Sequence, residues 1–329
     1  MFFNASNNSS NIDSMENNGA FIPAAITDTG CERDLNEDRF SVVECRSGTA
    51  WIVCDGMGGV AGGELAAQLA IDAIRRGLEG LPLRPPEVAL RTSILEANRI
   101  IVLRRQNPMF AGMGTTVVSA MFQGSEIVIG HVGDSRAYLV RDGAMQALTT
   151  DHTYVQQLVE RGQVKIEEAL VHPQSHILTR AIGSEPSLEV DLKKFWICPV
   201  NGNEQRDKII LTTDGLYSHV SDDEISDIIS NSTAQSACRK LVELAKERGG
   251  YDNITVAVIP LSGRLNQEPP LGYKRKQQSL RSFSSSANLI SEEGLGVANF
   301  KIYAVRAATI SAISLVATLI FLYFWIGKI

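Results

Sequence analysis

The chain has no Cys-x-x-Cys pair, and its five cysteines, Cys31, Cys45, Cys54, Cys198 and Cys238, are odd in number and scattered. This excludes a cysteine zinc site and a disulfide framework and suits a reducing, cytoplasmic setting. Clustered Lys and Arg are missing from the body of the sequence, and the formal net charge is −6, so the chain has no means of neutralising a phosphate backbone and no nucleic-acid partner is expected. Residues 1–19 are rich in Asn and Ser and lack an apolar run long enough for the core of an export signal; they read as a disordered lead. No serine, cysteine or histidine stands in a compelling arrangement for nucleophilic attack.

Long apolar runs are missing as well, with one exception. Ala307 to Gly327 (AATISAISLVATLIFLYFWIG) carries no charged side chain. About 20 residues at about 1.5 Å each cross a hydrocarbon core of about 30 Å. Lys301 and Arg306 precede this stretch, Lys328 follows it, and Tyr323, Phe324 and Trp325 gather at its far end as an interfacial belt would. Residues 301–329 are therefore expected to form a single-pass C-terminal anchor, with the N-terminal body on the cytoplasmic side. Residues 262–300, with Pro269-Pro270, Ser284-Ser285-Ser286 and the basic Lys274-Arg275-Lys276, read as a linker.

What remains, residues 20–261, is long enough to bury one large core. Short β-branched runs bounded by Gly, Asp and Asn mark strands: Trp51 to Cys54, Ile127 to Ile129, Ala137 to Val140, Ile209 to Leu211 and Thr255 to Ile259. Apolar residues every three or four positions, as in Leu65, Leu69, Ala73 and in Ala234, Cys238, Leu241, Ala245, predict helices near 62–80, 86–105 and 221–248. Grouped strands and grouped helices favour an α+β layered sandwich over a doubly wound sheet.

Acidic stations abut several of those strands: Asn36-Glu37-Asp38, Asp55-Gly56-Met57-Gly58-Gly59, Asp214-Gly215 and Asp252-Asn253. A single strand-Asp-Gly is an ordinary turn. Four stations brought to one end of a fold would concentrate like charge that only hard, oxygen-bound cations tolerate, which points to Mn²⁺ or Mg²⁺ rather than zinc. Two such ions hold and acidify a bridging water and offset the charge developing at phosphorus, so direct attack by ion-bound hydroxide is the expected chemistry. Arg33, three residues before Asn36, reads either as a fork for two phosphate oxygens or as a surface ion pair with Glu32 or Asp34; its place beside the carboxylates favours the first.

Eight motifs come in an order that resembles the bacterial branch of the metal-dependent type 2C Ser/Thr protein phosphatases. They are Arg33-Asp34-Leu35-Asn36-Glu37-Asp38, Asp55-Gly56-Met57-Gly58-Gly59 with Gly63-Glu64, Gly114-Thr115-Thr116, Gly133-Asp134-Ser135-Arg136, Leu148-Thr149-Thr150-Asp151-His152, Leu178-Thr179-Arg180-Ala181-Ile182-Gly183, Asp214-Gly215-Leu216 and Asp252-Asn253-Ile254-Thr255. The resemblance covers residues 21–260 and implies an α-β-β-α sandwich of two antiparallel sheets flanked by helices. It implies that Asp55 bridges two ions, that Gly56 offers its carbonyl, and that Asp214 and Asp252 complete one ion's shell. Glu37 and Asp38 would hold ion-bound waters, Arg33 would bind the substrate phosphate, Asn253 would support the ligands, and Asp134 with Asp214 would take a third ion. Residues 153–183 fall where the family has a flap over its cleft. Met57 departs from relatives with a histidine there, and methionine cannot protonate a leaving group. His131 reads as a core residue, His152 as part of the Thr-Asp-His turn, and His172, His176 and His219 have no evident partner.

The resemblance also implies phosphorylated proteins as substrates and a Ser/Thr kinase as opposing partner. A regulatory phosphatase of an anti-sigma-factor antagonist and a catalytically silent scaffold are the alternatives.

Overall fold

The structure, a computed structural model, describes residues 22–58, 62–80, 82–169, 171–200 and 206–270. The expected lead at 1–19, the linker beyond 270 and the expected anchor at 301–329 lie outside the described residues. Among the described residues no helix is long and apolar enough to cross a membrane.

Among the described residues thirteen strands form in chain order: β1 (Ala24–Asp28), β2 (Arg39–Cys45), β3 (Gly48–Cys54), β4 (Gly56–Met57), β5 (Gly114–Thr115), β6 (Val117–Gln123), β7 (Glu126–Val132), β8 (Arg136–Arg141), β9 (Ala144–Ala147), β10 (Asp191–Cys198), β11 (Lys208–Thr212), β12 (Ile254–Pro260) and β13 (Arg264–Asn266). The helices are α1 (Gly62–Gly80), α2 (Pro86–Arg104), α3 (Tyr154–Glu160), α4 (Ile166–Ala169), α5 (Asp214–Tyr217), α6 (Asp222–Ser230) and α7 (Ala234–Glu247). One antiparallel sheet runs β1-β12-β11-β8-β9 and the other β13-β10-β7-β6-β3-β2.

The strands read as near-continuous apolar runs because both faces of each sheet are covered. Val53, Val118, Ile127 and Ile129 of the six-stranded sheet meet Leu139, Ile209, Leu211 and Ile259 of the five-stranded sheet in the central core. The alternate residues Ile52, Met121 and Val128 turn outward onto Ala70, Ile74, Leu90 and Ile94 of α1 and α2. Ile210, Val256 and Val258 turn the other way onto Ile225, Ile229, Cys238 and Leu241 of α6 and α7. The expected helix-sheet-sheet-helix layering is thus present.

One boundary differs from the expectation. Residues 264–266, assigned by composition to the linker, form β13 and pair with β10, Ile197 opposite Leu265. Leu265 is buried, and the Asp207 carboxylate accepts its backbone N–H at 2.6 Å. The strand is too short for a two-residue period to register in the sequence.

Register fixes where the acidic stations end up. In the six-stranded sheet Arg39 lies opposite Cys54, Val53 opposite Val118, and Val117 opposite Val132. In the other, Arg136 lies opposite Thr212, Thr212 opposite Val256, and Asp28 opposite Ile254. The residues just beyond these pairs, Asp38, Asp55, Asp134, Asp214 and Asp252, therefore emerge at one end of the sandwich.

Candidate active site

Each carboxylate is held by its local structure. Asp55 leaves the end of β3, and its backbone is pinned by the Gly114-Thr115-Thr116 motif. Its N–H donates to Thr116 Oγ1 at 3.0 Å, and its carbonyl accepts from the Thr116 N–H at 2.9 Å and from Thr115 Oγ1 at 2.7 Å. Gly56 then passes so close to α1 that a Cβ there would stand 2.1 Å from the Gly63 carbonyl and 2.8 Å from that of Glu37; no residue with a side chain fits. Asp214 opens α5 directly after β11. Asp134 sits in the turn from β7 to β8, entered through Gly133 at φ +110°.

Asp38 is 1% exposed, and one of its oxygens, Oδ2, accepts from the hydroxyls of Thr213 at 2.9 Å and Thr255 at 2.7 Å. Its other oxygen, Oδ1, has no hydrogen-bond partner, and neither has the buried Oδ1 of Asp214. Burial raises the Asp38 carboxyl to about 7, with Asp214 and Asp252 pushing the same way. Burial and Asp252 raise Asp214 to about 6, and the Asp55 carboxyl lies within its hydrogen-bond reach. Asp55 and Asp134 are pushed well above the ordinary carboxylate range, first by burial and then by neighbouring carboxylates: Asp38 and Asp214 act on Asp55, and Asp214 acts on Asp134. Five acids thus crowd one another while two buried acceptor oxygens go unused, and divalent cations would relieve both conditions.

The residues fit Mn²⁺ or Mg²⁺. Every candidate donor is a hard oxygen, and zinc's nitrogen and sulfur donors are missing from the cluster. Among the described residues no three His, Cys, Asp or Glu side chains close into a ready-made cage. Mg²⁺-like ions keep several waters and take one or two carboxylates directly, so a closed cage is not required.

Other predicted residues are placed differently from one another. Arg33 is half-exposed and pairs with Asp252 at 2.8 Å, rather than with Glu32 or Asp34. The Glu37 carboxylate lies against Gly63 at the start of α1. Asn253 stitches the acidic loop: its Oδ1 accepts the Glu37 N–H at 2.6 Å, and its Nδ2 donates to the carbonyls of Thr29 and Leu35 at 2.9 and 3.0 Å. Gly59 falls outside the described residues. His131 is 2% exposed, in line with a core reading.

Sequence reasoning missed the supporting residues. Thr213, just before α5, and Thr255, in β12, are inconspicuous because threonine is common at helix starts and in strands. Tyr217, whose hydroxyl donates to the Asp134 carbonyl at 3.0 Å, lies three residues after Asp214 on α5, and that spacing was the only signal. The sequence marks His152 only as part of the Thr-Asp-His turn. A groove of about 530 Å³ lined by Asp142, Asp223, Ser226 and Asp227 belongs to the β8–β9 turn and α6 and holds none of the five carboxylates.

Comparison with known proteins agrees with this geometry. The family model described as Protein phosphatase 2C matches residues 46–254. Serine/threonine phosphatase stp of Listeria welshimeri is 37% identical over 240 residues, which cover 71% of this chain and 93% of that protein. The crystal structure of the Mycobacterium tuberculosis serine/threonine phosphatase PstP/Ppp aligns with a TM-score of 0.64 at 34% identity, covering 73% of this chain and 98% of that one. The catalytic domain of PstP in complex with 2 manganese ions aligns at 0.62 and 32% identity, covering 73% and 97%. The chain belongs to the protein phosphatase 2C family, as a manganese- or magnesium-dependent serine/threonine phosphatase.

Proposed function

We propose that this phosphatase hydrolyses phosphoserine and phosphothreonine on proteins directly, without a phosphoenzyme, at the end of the sandwich where Asp38, Asp55, Asp134, Asp214 and Asp252 converge. The observation that carries the reading is the pair of unused buried oxygens, Asp38 Oδ1 and Asp214 Oδ1, inside a ring of mutually repelling carboxylates. Asp55, the Gly56 carbonyl, Asp214 and Asp252 would hold two Mn²⁺ or Mg²⁺ ions, and Asp134 with Asp214 a third. When bound, the ions supply Lewis-acid activation of water and neutralise charge developing at phosphorus.

The chain's own groups do the rest. Asp38 is fixed by two threonine hydroxyls through one oxygen, which leaves the other buried oxygen free among the neighbouring acids and gives it the role of hydrogen-bond acceptor for the attacking water. Asn253 holds the backbone of Glu37, keeping that acid at the mouth of the site. Arg33 has its guanidinium on the exposed side of Asp252, where it reaches a substrate phosphate with a bidentate fork. Met57 has no proton to give, so the leaving serine or threonine oxygen takes its proton from solvent.

Ala307 to Gly327 anchors the enzyme with its catalytic domain facing the cytoplasm, and its substrates are those of a Ser/Thr kinase. The test is phosphate release from phosphoserine and phosphothreonine peptides by the purified chain. Turnover that needs Mn²⁺ or Mg²⁺, stops with chelator and disappears in Asp214→Asn supports the reading, and turnover unaffected by chelator sinks it. Partition of the full chain into the soluble fraction would refute the anchor.

A further inference from the structure

The turn that carries Asp134 is bound at two points to a histidine outside the carboxylate cluster. The Gly133 N–H donates to His152 Nδ1 at 3.0 Å, and the His152 N–H donates to the Gly133 carbonyl at 2.8 Å. Gly133 has no slack to lose, because a Cβ at its φ of +110° would stand 2.6 Å from the Thr116 side chain. With Nδ1 accepting, the neutral ring carries its proton on Nε2, which faces the Asp191 carboxylate at 3.3 Å. Arg180 Nη1, at 3.1 Å from the same nitrogen, then bonds to Asp191 at 2.6 Å and not to the ring. Burial first, and then the Arg180 charge, keep the imidazole below its ordinary pKa and so uncharged.

The other half of the residue belongs to the 153–183 segment. The His152 carbonyl accepts the Thr179 N–H at 2.8 Å, Thr153 bridges Leu178, and the Tyr154 N–H reaches the Ile177 carbonyl at 2.8 Å. Arg180 is where that segment returns. His152 therefore leads directly into one end of the segment at Thr153 and touches the other end through Thr179 and Arg180, while its ring edge holds the backbone of the Asp134 turn.

We propose that His152 is a positioning residue that ties the base of the 153–183 segment to the Asp134 carboxylate, so that movement of the segment on phosphoprotein binding and cation holding by Asp134 affect one another. By linkage the effect runs equally in both directions. The inference rests on the reading of Asp134 as holder of an ion.

The test measures Mn²⁺ binding to the full chain by calorimetry, beside kcat and KM for a phosphopeptide. His152→Leu removes the acceptor, and His152→Asn leaves an amide oxygen near the position of Nδ1. In His152→Leu the weakest Mn²⁺ is expected to lose about tenfold in affinity, the scale of one buried hydrogen bond, with the tighter ions unchanged. KM for the phosphopeptide should rise with it, and His152→Asn should restore both. Asp134→Asn should lose that ion altogether.

If Asp134→Asn loses an ion while His152→Leu binds all of them as the parent does, the role of His152 is overturned and that of Asp134 stands. If Asp134→Asn binds every ion as the parent does, the reading beneath the inference fails. Should His152→Leu not fold, nitrogen NMR of the parent decides: a proton on Nε2 with Nδ1 bare supports the proposal, and a protonated Nδ1 overturns it.

Discussion

Asp207 and Asp38 are each 1% exposed, yet they are provided for in opposite ways. Asp207 receives two bonds from Arg141, at 3.0 and 2.6 Å, and one from the Leu265 N–H at 2.6 Å. Asp38 has two hydroxyls on one oxygen, nothing on the other, and acids for neighbours. Burial alone therefore does not mark a functional acid. The mark is burial without a cation or a full set of donors, because leaving a buried charge unpaired costs several kcal/mol that a purely structural acid would not retain.

Substitutions on the two sides of this contrast should fail in different assays. At the cluster, Asp55→Asn is expected to lower phosphopeptide turnover by about 10³-fold or more, comparable to removing a principal electrostatic group from an active site. Its chelated form should melt no lower than the parent's; residual turnover within tenfold of the parent would remove Asp55 from the chemistry. Asp207→Ala should do the reverse. Leaving Arg141 and the Leu265 N–H without their partner costs about 3–4 kcal/mol in chemical denaturation, and turnover of the folded fraction should be unchanged.

His131 extends the contrast to a neutral group. Its ring nitrogens lack hydrogen bonds of ordinary geometry, and burial holds it down to about 3. The unfolded chain takes up a proton below about pH 6.5 that the fold refuses until about pH 3, so stability is full above that range and is lost as pH falls through it. At pH 5 the parent should have lost about 2 kcal/mol to this group, and His131→Leu should not show that loss in urea titrations. Equal acid sensitivity of the two proteins would contradict it.

A further expected effect has the opposite sign. Asp38 near 7 and Asp214 near 6 hold protons in the fold that an unfolded carboxylate, at about 4, has released. Their contribution is complete below about pH 4 and is lost as pH rises through 6 to 7. In chelator, melting should therefore fall by a few degrees between pH 5.5 and 8, and added Mn²⁺ should remove that slope; a slope that survives Mn²⁺ would argue that the ions bind elsewhere.

Much of this was legible in the sequence. Runs such as Ile209 to Leu211 and Thr255 to Ile259 identify strands covered on both faces, and the helices over 62–80 and 86–104 followed from their apolar spacing. The ordered acidic stations pointed to the site because each abuts a strand end and antiparallel pairing brings those ends together. The supporting roles were not legible, because Thr213, Thr255, Tyr217 and His152 act through distance in space; Thr255 and His152 close two of the ordered motifs, which mark the residues and not their partners. β13 was hidden for a different reason: three residues hold too little periodicity to separate a strand from a linker.

The tight passage of Gly56 beneath the first turn of α1 bears on how this centre can be dissected genetically. A main-chain oxygen cannot be deleted by changing a codon, and here even a single added methyl group would force the helix start and the acidic loop apart. A dead alanine variant at this position would report broken architecture and would be silent about coordination.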